Sequence, residues 1–522
     1  MPKQGVVYLV GAGPGDPGLI TVKGLECIKR AEVLVYDRLA SKRLLSYAPG
    51  ECELIYVGKL PDRHTLRQEE INQLLVDKAL AGKIVTRLKG GDPYVFGRGG
   101  EEAELLAQHH LPFEVVPGVT SAIAVPAYAG IPVTHRDFTA SFAVITGHED
   151  RAKDESAIAW DKVATGIGTL VFLMGVGNLP LIVAKLLEHG RPAATPVALI
   201  RWGTRPEQRT LIGTLATMVQ KAEEAGFTSP AIIVVGEVVT LRDTLSWFEK
   251  KPLFGKRVVV TRSREQASDL SRRIEELGGE AFEFPTIAIA EPDDFAPLDA
   301  AIGQADSYDW LIFTSVNGVD AFFARLRHHG RDIRDLKRAR LCAIGPKTKE
   351  RLEGMCLRVE YVPAEYRAEA VLEGLQGKLK AGERVLLPRA DMARAILPET
   401  LRTMGAEVDD VTAYRTVRGG GDARLLRELL AEKMIHYITF TSSSTVKNFV
   451  EALESIDLQT LLEGLKLVSI GPITSQAARD LGLSIDIEAQ EYTIDGLVEA
   501  LTRFCLGERN VLTGRSERGN PR

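Results

Sequence analysis

Short apolar runs alternate with helical patterns along the first half of the chain. The predicted strands are Val6 to Val10, Val33 to Tyr36, Ile84 to Leu88, Phe113 to Val116, Ala143 to Thr146, Thr169 to Met174, Val197 to Ile200 and Ala231 to Val235. Strands that alternate with helical segments are typical of βαβ units, in which helices cover a largely parallel sheet. The pattern therefore predicts an α/β fold.

The pattern changes near residue 251. The segment from Ser246 to Pro252 is charged and broken by proline, and a new strand, Arg257 to Thr261, begins a second series. A chain of 522 residues is also too long for one ordinary hydrophobic core. We expect a first domain over 1–251, a second over 252–506 and a C-terminal tail over 507–522.

The second half contains an internal repeat. The paired segments are Val258-Val259-Val260-Thr261-Arg262 with Val385-Leu386-Leu387-Pro388-Arg389, Ile312-Phe313-Thr314-Ser315 with Thr439-Phe440-Thr441-Ser442, and Ala343-Ile344-Gly345-Pro346-Lys347-Thr348 with Ser469-Ile470-Gly471-Pro472-Ile473-Thr474. The first two segments are equally spaced in both copies, and the spacing to the third differs by a single residue. Matched spacing of this kind indicates two similar α/β lobes.

Each repeated segment ends a strand in Thr-Ser, Gly-Pro or Pro-Arg and then opens a helix. Free backbone N–H groups at helix N-termini suit carboxylates, whereas the ordinary role of serine and threonine at these positions is to cap the helix. Because the positions recur in both copies, we take them as candidates for carboxylate binding. They are Thr314, Ser315, Gly345, Thr441, Ser442, Gly471 and Thr474.

Composition narrows the class of protein. Hydrophobic residues make up 45% and charged residues 26%, as in globular proteins, and no apolar run approaches the roughly 18 residues of a membrane span. The N-terminus lacks a signal-peptide pattern, so we expect a cytoplasmic protein with no membrane partner. A net charge of −5 argues against a nucleic-acid partner. The 5 cysteines include no Cys-x-x-Cys pair and the histidines no ligand spacing, so we predict neither disulfides nor a metal.

A glycine-rich loop follows the first predicted strand. Gly11-Ala12-Gly13-Pro14-Gly15-Asp16 looks like a dinucleotide fingerprint, and Asp37, at the end of the next strand, stands where a ribose-binding acid would be expected. The fingerprint requires a small residue three positions after Gly13, where this chain has Asp16. A nicotinamide enzyme is therefore disfavoured.

From Val6 to Trp247 the chain resembles the uroporphyrinogen-III C-methyltransferases. The matching motifs are Gly11-Ala12-Gly13-Pro14-Gly15-Asp16-Pro17-Gly18-Leu19-Ile20-Thr21, Tyr36-Asp37-Arg38-Leu39, Val57-Gly58-Lys59, Arg87 to Glu102, Pro117-Gly118-Val119-Thr120-Ser121-Ala122 and Ala129 to Asp137. The resemblance implies a pair of α/β subdomains, S-adenosylmethionine as the cofactor, and a homodimer formed through this domain.

The same resemblance implies the roles of particular residues. Asp37 and Lys59 would act as base and acid, since a proton must leave after a pyrrole carbon is methylated. The substrate is a polycarboxylate that arginine forks can bind, which makes Arg38 and Arg136 candidates; the alternative is that these charges are merely solvated. The residues implied to line the cofactor pocket are Pro14, Gly90, Gly91, Asp92, Val95, Thr120, Ser121, Met174 and Gly203.

From about Lys256 to Phe504 the chain resembles the uroporphyrinogen-III synthases. The matching pieces are Thr261-Arg262, Asp309 to Val319, Gly345-Pro346-x-Thr348, Ala413-Tyr414-Arg415-Thr416 and Phe440-Thr441-Ser442-Ser443-Ser444. The resemblance implies two lobes with parallel sheets, about 256–284 plus 417–506 and 288–411, joined by a two-stranded hinge. The chain would cross between the lobes at Phe284 to Ile287 and at Val411 to Tyr414.

Tyr414 is the candidate proton donor of this second half. By the resemblance it would face the cleft between the lobes and could protonate the departing hydroxyl of hydroxymethylbilane, since a phenol is a weak acid. The alternative is a tyrosine that only packs on a β ribbon. Most of the rate would come from holding the substrate's carboxylates in a fixed orientation.

Together the resemblances predict a bifunctional enzyme of tetrapyrrole biosynthesis. It would cyclise hydroxymethylbilane to uroporphyrinogen III, inverting one terminal pyrrole, and then transfer two methyl groups to give precorrin-2, an intermediate of sirohaem and cobalamin biosynthesis. Nothing in the chain resembles a dehydrogenase or chelatase, so we expect the reaction to stop there. Two alternatives remain open: the second half is a non-catalytic tetrapyrrole-binding module, or the first half methylates a later corrin intermediate.

Overall fold

A computed structural model describes residues 5–58, 66–148, 157–262, 264–336, 338–363, 374–393, 395–453 and 458–513. Its contacts divide the chain into two compact units, the first comprising Met1–Arg257, Arg273–Glu280 and Thr502–Arg522, and the second Val258–Arg272 and Ala281–Leu501. Both units combine helices with sheets, and parallel pairing predominates in three of the four sheets, so the predicted α/β class is confirmed.

The strands of the described part of the chain form four sheets. The strands are β1 Val6–Gly11, β2 Val33–Tyr36, β3 Glu53–Tyr56, β4 Ile84–Lys89, β5 Phe113–Val116, β6 Phe142–Thr146, β7 Thr169–Leu173, β8 Pro196–Arg201, β9 Arg209–Thr214, β10 Ala231–Val235, β11 Arg257–Val260, β12 Glu280–Glu283, β13 Ile287–Ala290, β14 Trp310–Phe313, β15 Arg340–Ala343, β16 Val359–Tyr361, β17 Arg384–Ala390, β18 Glu407–Arg418, β19 Tyr437–Phe440, β20 Lys466–Ser469 and β21 Ile487–Glu488.

Helices connect most of these strands. They are Val22–Lys29, Lys42–Leu45, Gln68–Leu80, Gly99–Gln108, Ser121–Tyr128, Trp160–Gly166, Leu179–Glu188, Met218–Glu224, Arg242–Leu245, Arg264–Glu276, Ala296–Gly303, Val316–His328, Pro346–Glu353, Ile396–Thr403, Ala423–Ala431, Ser443–Leu453, Leu458–Leu461, Pro472–Asp480 and Ile494–Thr513. Within the described residues, no helix combines the length and apolar character needed to cross a membrane.

The first sheet of the first unit is entirely parallel, with strand order β3-β2-β4-β1-β5. Its strands are apolar without alternation because both faces are covered. Val7, Leu9 and Val33 pack into a core on one face, whereas Val10 and Leu34 pack into a core on the other. The carboxyl ends of all five strands consequently meet at one edge, where open α/β sheets bind ligands.

The second sheet of this unit is mixed, with order β6-β7-β10-β8-β9. Only β6 and β7 pair in parallel; β10 lies antiparallel between β7 and β8, and β9 closes the edge as a hairpin partner of β8. Phe172 and Leu199 face one buried core, and Ala198 and Ile200 face another, so the central strands of this sheet are also covered on both sides.

The second unit contains the two sheets that the internal repeat predicts. One has order β12-β11-β19-β20-β21 and the other β13-β18-β17-β14-β15-β16. In the first of these sheets β19 pairs in parallel with β11 and β20, and β20 with β21. In the second, the strands from β18 to β16 all pair in parallel. β13 instead pairs with β18 in a two-stranded antiparallel ribbon, with register Ile287↔Arg418 to Ala290↔Arg415.

The ribbon lies slightly later in the chain than the sequence indicates. The first crossing, after Phe284, falls where it is expected, but Val411 and Tyr414 still belong to the sheet, because β18 pairs with β17 as far as the pair Ala390↔Tyr414. The return crossing is made by Arg415 to Arg418. One long strand thus serves both the sheet and the ribbon, which an apolar pattern alone does not reveal.

Candidate functional site

Two glycine loops meet at the carboxyl edge of the first sheet. Gly13, after β1, and Gly91, after β4, pair through their backbones, with N–H to O distances of 3.2 and 2.7 Å. Both glycines have positive φ, +76° and +70°, a conformation that L side chains rarely adopt. A Cβ on the neighbouring Gly11 would lie 2.5 Å from the backbone of Gly118. The loops can approach each other this closely only because they lack side chains.

A cavity of about 490 Å³ opens beside these loops, within the usual size range of small-molecule sites. The two sheets of the first unit both contribute to its wall. Eight of the residues singled out from the sequence line it: Pro14, Asp37, Gly90, Gly91, Val95, Ser121, Met174 and Gly203. The structure therefore brings together positions that lie as far apart in the chain as Pro14 and Gly203.

Strained backbone is concentrated at this cavity. Among the described residues, eight that are not glycine have positive φ, and four of these, Phe96, Arg98, Met174 and Trp202, line the cavity. Such conformations are costly for residues with side chains and persist mainly where function requires them. Met174, with φ +58°, leaves 53% of its surface exposed. The wall is thus shaped by backbone conformations as well as by side chains.

Gly203 marks a place where the wall permits no side chain. A Cβ at this position would meet the side chain of Val125, which also lines the cavity, at a distance below 3.0 Å. A Cβ on Gly90 would similarly lie 2.5 Å from Leu39, another wall residue. Both glycines keep the cavity open.

Asp92 and Thr120 support the cavity from behind instead of lining it. Asp92 Oδ1 accepts a hydrogen bond from the Tyr94 amide at 2.8 Å, and Oδ2 accepts one from the Gly118 amide at 3.0 Å. Thr120 caps the helix Ser121–Tyr128 by accepting from the Ala122 amide at 3.3 Å. Asp92 therefore ties the loop after β4 to the loop after β5.

Asp37 stands on the wall at the end of β2. Its Oδ1 accepts a hydrogen bond from the Leu39 amide at 3.0 Å, and its Oδ2 lies 3.5 Å from Nη2 of Arg87. The side chain is 25% exposed, so the carboxylate is held in place yet open to a ligand. Lys59, its predicted acid partner, lies outside the described residues.

The basic residues on the wall differ from those emphasised in the sequence. Arg38 is exposed, with its guanidinium 5.9 Å from the Trp202 ring, and Arg136 is exposed in the turn before Phe138; neither lines the cavity. The cationic residues that do line it are Arg87, Lys89, Arg98 and Arg205, against Asp37 as the acidic one. The wall is therefore electropositive and complements a polyanion.

These residues of the cavity wall were not singled out from the sequence as candidates for the site. Arg87 and Lys89 carried a signal, since two charges interrupt the otherwise apolar strand β4 at its carboxyl end. Trp202 and Arg205 carried no such signal in the sequence. Only the folding of the chain brings these two residues to the cavity. The guanidinium of Arg205 lies 5.0 Å from the Trp202 ring and donates to the Leu39 carbonyl at 3.1 Å, and burial lowers the pKa of Arg205.

In the second unit, Tyr414 and Ser315 are brought together. The two hydroxyl oxygens are 3.0 Å apart, and Ser315 also caps the helix Val316–His328 by accepting from the Gly318 amide at 3.0 Å. Tyr414 is only 8% exposed, and this burial raises the pKa of its phenol. The tyrosine thus lies at the carboxyl end of β14, beside a helix N-terminus.

The other repeat residues all lie at strand ends but differ in access. Thr314 is half-buried after β14, and Gly345 precedes the helix Pro346–Glu353 after β15. After β19, Thr441 is also half-buried, and the Ser442 amide donates to Thr445 Oγ1 at 3.2 Å as part of a helix cap.

After β20, two of the candidates are covered. Gly471 is buried, and a Cβ on it would lie 2.7 Å from the ring of Tyr492. Thr474 is only 4% exposed. The second copy of the turn thus offers less open surface than the half-buried positions after β14 and β19. Among the described residues, no group of acidic, histidine or cysteine side chains is arranged to hold a metal.

Comparison with known proteins identifies both halves. Residues 6–219 match the family "Tetrapyrrole (Corrin/Porphyrin) Methylases", and residues 268–499 match "Uroporphyrinogen-III synthase HemD". The "Porphyrin biosynthesis protein HemD" of Ruminiclostridium josui is 40% identical over 96% of this chain and 98% of its own length. Similarity to a protein of this kind therefore extends through both halves.

Two relatives match the first half alone. The "Uroporphyrinogen-III C-methyltransferase" of Priestia megaterium is 59% identical and covers 45% of this chain and 99% of its own length. The "S-adenosyl-L-methionine-dependent uroporphyrinogen III methyltransferase" of Methanosarcina barkeri is 56% identical and covers 46% of this chain and 94% of its own. The fusion predicted from the sequence is thereby confirmed: the chain belongs to the uroporphyrinogen-III C-methyltransferase family in its first half and to the uroporphyrinogen-III synthase family in its second.

Proposed function

We propose that the chain converts hydroxymethylbilane to uroporphyrinogen III with its second half and methylates that product to precorrin-2 with its first. The observation that carries the methyltransferase part is the meeting, in one cavity, of the glycine loops, the Asp37 carboxylate and an electropositive wall. Relatives named for uroporphyrinogen III and for S-adenosylmethionine support the choice of substrate and cofactor. The alternative of a non-catalytic second half is not favoured.

The residues present fit S-adenosylmethionine. A cofactor of this size needs the backbone to approach it closely, which the loops at Gly13 and Gly91 permit because no side chain is in the way. Pro14, Gly90, Val95, Ser121, Met174 and Gly203 are wall residues that would hold it. When bound, the cofactor supplies an electrophilic methyl group.

The chain's own residues then have to orient the substrate and remove a proton. The cations of the wall would bind the carboxylates of the tetrapyrrole and set the pyrrole carbon in line for attack. After the carbon gains its methyl group, the macrocycle is a cation that must lose a proton from another position, and Asp37 is the acidic group of the wall that can accept that proton. Lys59 as the acid stays a prediction.

In the second half, Tyr414 would donate its proton to the hydroxyl that leaves hydroxymethylbilane. The phenol is a weak donor because burial raises its pKa, so it would act together with the Ser315 hydroxyl, 3.0 Å away. Thr314, Gly345, Thr441 and Ser442 would bind the substrate's carboxylates at strand ends. The burial of the equivalent positions after β20 makes Gly471 and Thr474 weaker candidates.

The experiment is a one-pot conversion by the purified full chain. With hydroxymethylbilane and S-adenosylmethionine, we expect dimethylated type III product and two S-adenosylhomocysteine released per tetrapyrrole; without the cofactor, uroporphyrinogen III should accumulate. An isomer ratio equal to that of uncatalysed cyclisation would contradict the synthase assignment. Methylation of a later corrin intermediate in preference to uroporphyrinogen III would contradict the methyltransferase assignment.

Three finer expectations belong to this proposal. The homodimer formed through the first domain would be tested by analytical ultracentrifugation of the full chain and of variants in its first half. The cytoplasmic location would be tested by fractionation of the source cells. An expectation that no metal is needed would be tested by full activity after dialysis against a chelator.

A further inference from the structure

A cluster of charged side chains lies beneath the cavity of the first unit. Glu102, in the first turn of the helix Gly99–Gln108, is fully buried, and Arg87 and Lys89 on β4 are each 4% exposed. Glu102 Oε1 accepts hydrogen bonds from Lys89 Nζ at 2.6 Å, from Arg87 Nε at 3.2 Å and from Gln68 Nε2 at 3.2 Å. Its other oxygen, Oε2, has no hydrogen-bond partner among the described residues.

The cluster is oriented towards the ligand space. Arg87, Lys89 and Gln68 line the cavity, whereas Glu102 does not. A buried ion pair is poor evidence of stabilisation, because removing the charges from water offsets their attraction. Two buried cations that share one carboxylate and open onto a cavity are better explained by the ligand they face.

Glu102 also determines how Arg87 meets Asp37. Arginine and carboxylate usually form a short bidentate pair. Here Arg87 Nε is directed to Glu102, and Nη1 to the Leu88 carbonyl at 3.1 Å, so only Nη2 approaches Asp37, at 3.5 Å. Arg87 therefore helps to position the Asp37 carboxylate and leaves it accessible to a ligand.

We infer that Glu102 is a positioning residue of the methyl-transfer site, which holds Arg87 and Lys89 as cations against the cavity and keeps the Asp37 carboxylate open to substrate. The inference rests on the proposed methyltransferase function and goes beyond it, because Glu102 lies behind the wall and acts only through its partners.

The charges around Lys89 determine the pH at which it loses its proton. Burial, and then the neighbouring Arg87, lower the pKa of Lys89, while the carboxylates of Glu102 and Asp37 oppose that shift. Glu101, on the same helix as Glu102, is a further acid near Lys89, although its pKa is lowered mainly by its hydrogen bond with Arg98 and only slightly by Lys89. Without the charge of Glu102, Lys89 should lose its proton at a lower pH, and Arg87 should be free to pair fully with Asp37.

The test compares Glu102→Gln with Glu104→Gln, an exposed position on the same helix, in the full chain. For Glu102→Gln we expect kcat for methyl transfer to fall about 10²-fold, as misplaced reacting groups typically cause, with cofactor affinity within about twofold of wild type. The alkaline limb of its pH–rate profile should move to lower pH. Glu102→Asp, which retains the charge, should recover part of the rate.

Controls separate the possible failures. Cofactor binding by calorimetry and cyclisation of hydroxymethylbilane by the second half report on folding in each variant. Wild-type kcat and pH profile in Glu102→Gln would overturn the inference, as would a loss confined to cofactor binding, which would indicate a structural role. Absence of methyl transfer by the wild-type chain would instead refute the proposed function.

Discussion

Replacement of Asp37 by asparagine tests the proposed base most directly. In the wild-type structure Asp37 accepts a hydrogen bond from the Leu39 amide at 3.0 Å. The asparagine keeps an oxygen that can accept this bond, so the turn after β2 should persist. What is weakened is one 3.5 Å contact to Arg87, and Arg87 keeps its contact to Glu102. Because this contact is long, Asp37 is 25% exposed and Arg87 stays paired with Glu102, we expect only a small loss of stability.

The expected kinetic effect is much larger than the expected effect on stability. A positioned general base contributes about 10²- to 10⁴-fold, which corresponds to about 3–5 kcal/mol of barrier. We therefore expect Asp37→Asn to unfold at nearly the wild-type temperature and to bind S-adenosylmethionine normally, while kcat for methylation of uroporphyrinogen III falls by that factor.

The assay follows release of S-adenosylhomocysteine at saturating substrate, with cofactor affinity measured by calorimetry. Asp161→Asn serves as the control, because Asp161 is an exposed acid in the first turn of the helix Trp160–Gly166 of the same unit. Unchanged turnover in Asp37→Asn, or a defect limited to cofactor affinity, would refute the base assignment and favour a ribose-binding role.

Three further predictions concern other parts of the molecule. Tyr414→Phe removes only the hydroxyl, so we expect synthase rate to fall about 10²-fold with more of the non-inverted isomer, measured by chromatography; full activity would leave a packing role. Gly203→Leu should abolish cofactor binding in calorimetry, because any Cβ there collides with Val125, while cyclisation continues; normal binding would remove Gly203 from the site. The Arg325 guanidinium holds the pKa of Asp299 at about 2, so Asp299→Asn should lower the melting temperature at pH 7. The difference in melting temperature between variant and wild type should shrink as pH falls from about 4 through 2. A difference that does not depend on pH would contradict the pairing.

Apolar runs predicted eight strands of the first half and missed two. All eight occur in the structure: the central strands are apolar throughout because both of their faces are covered, and the edge strands Phe113–Val116 and Phe142–Thr146 are also largely apolar. Glu53–Tyr56 and Arg209–Thr214 were not expected. Both are edge strands with exposed or half-buried positions, so their pairing is decided by the neighbouring strand and not by their own composition.

The candidate site was predicted in outline because its loops carry local signatures. Glycines in the loops after β1 and β4, and Asp37 after β2, are visible in sequence, and the structure places them around one cavity; their roles stay predictions. Lys59 lies outside the described residues, and Asp92 proves to connect two loops. A side chain's direction depends on what packs around it, which sequence pattern does not report.

The sequence by itself indicated the family to which each half of the chain belongs. The duplicated segments of the second half and the motifs of the first are continuous stretches, so family membership could be inferred before any contact was known. The structure bears out two sheets in the second unit, as the duplication indicates.

Only the tertiary structure decided which charges surround the cavity. Arg205 reaches Leu39 across 166 positions of the chain, and the buried carboxylate of Glu102 serves cations from another element. A charged residue in a sequence is solvated by default, and burial beside a partner reverses that expectation. Whether a charged side chain is buried depends on how its helix packs against the neighbouring strand, which residue type and spacing do not report, and for that reason the positioning role of Glu102 became visible only in the fold.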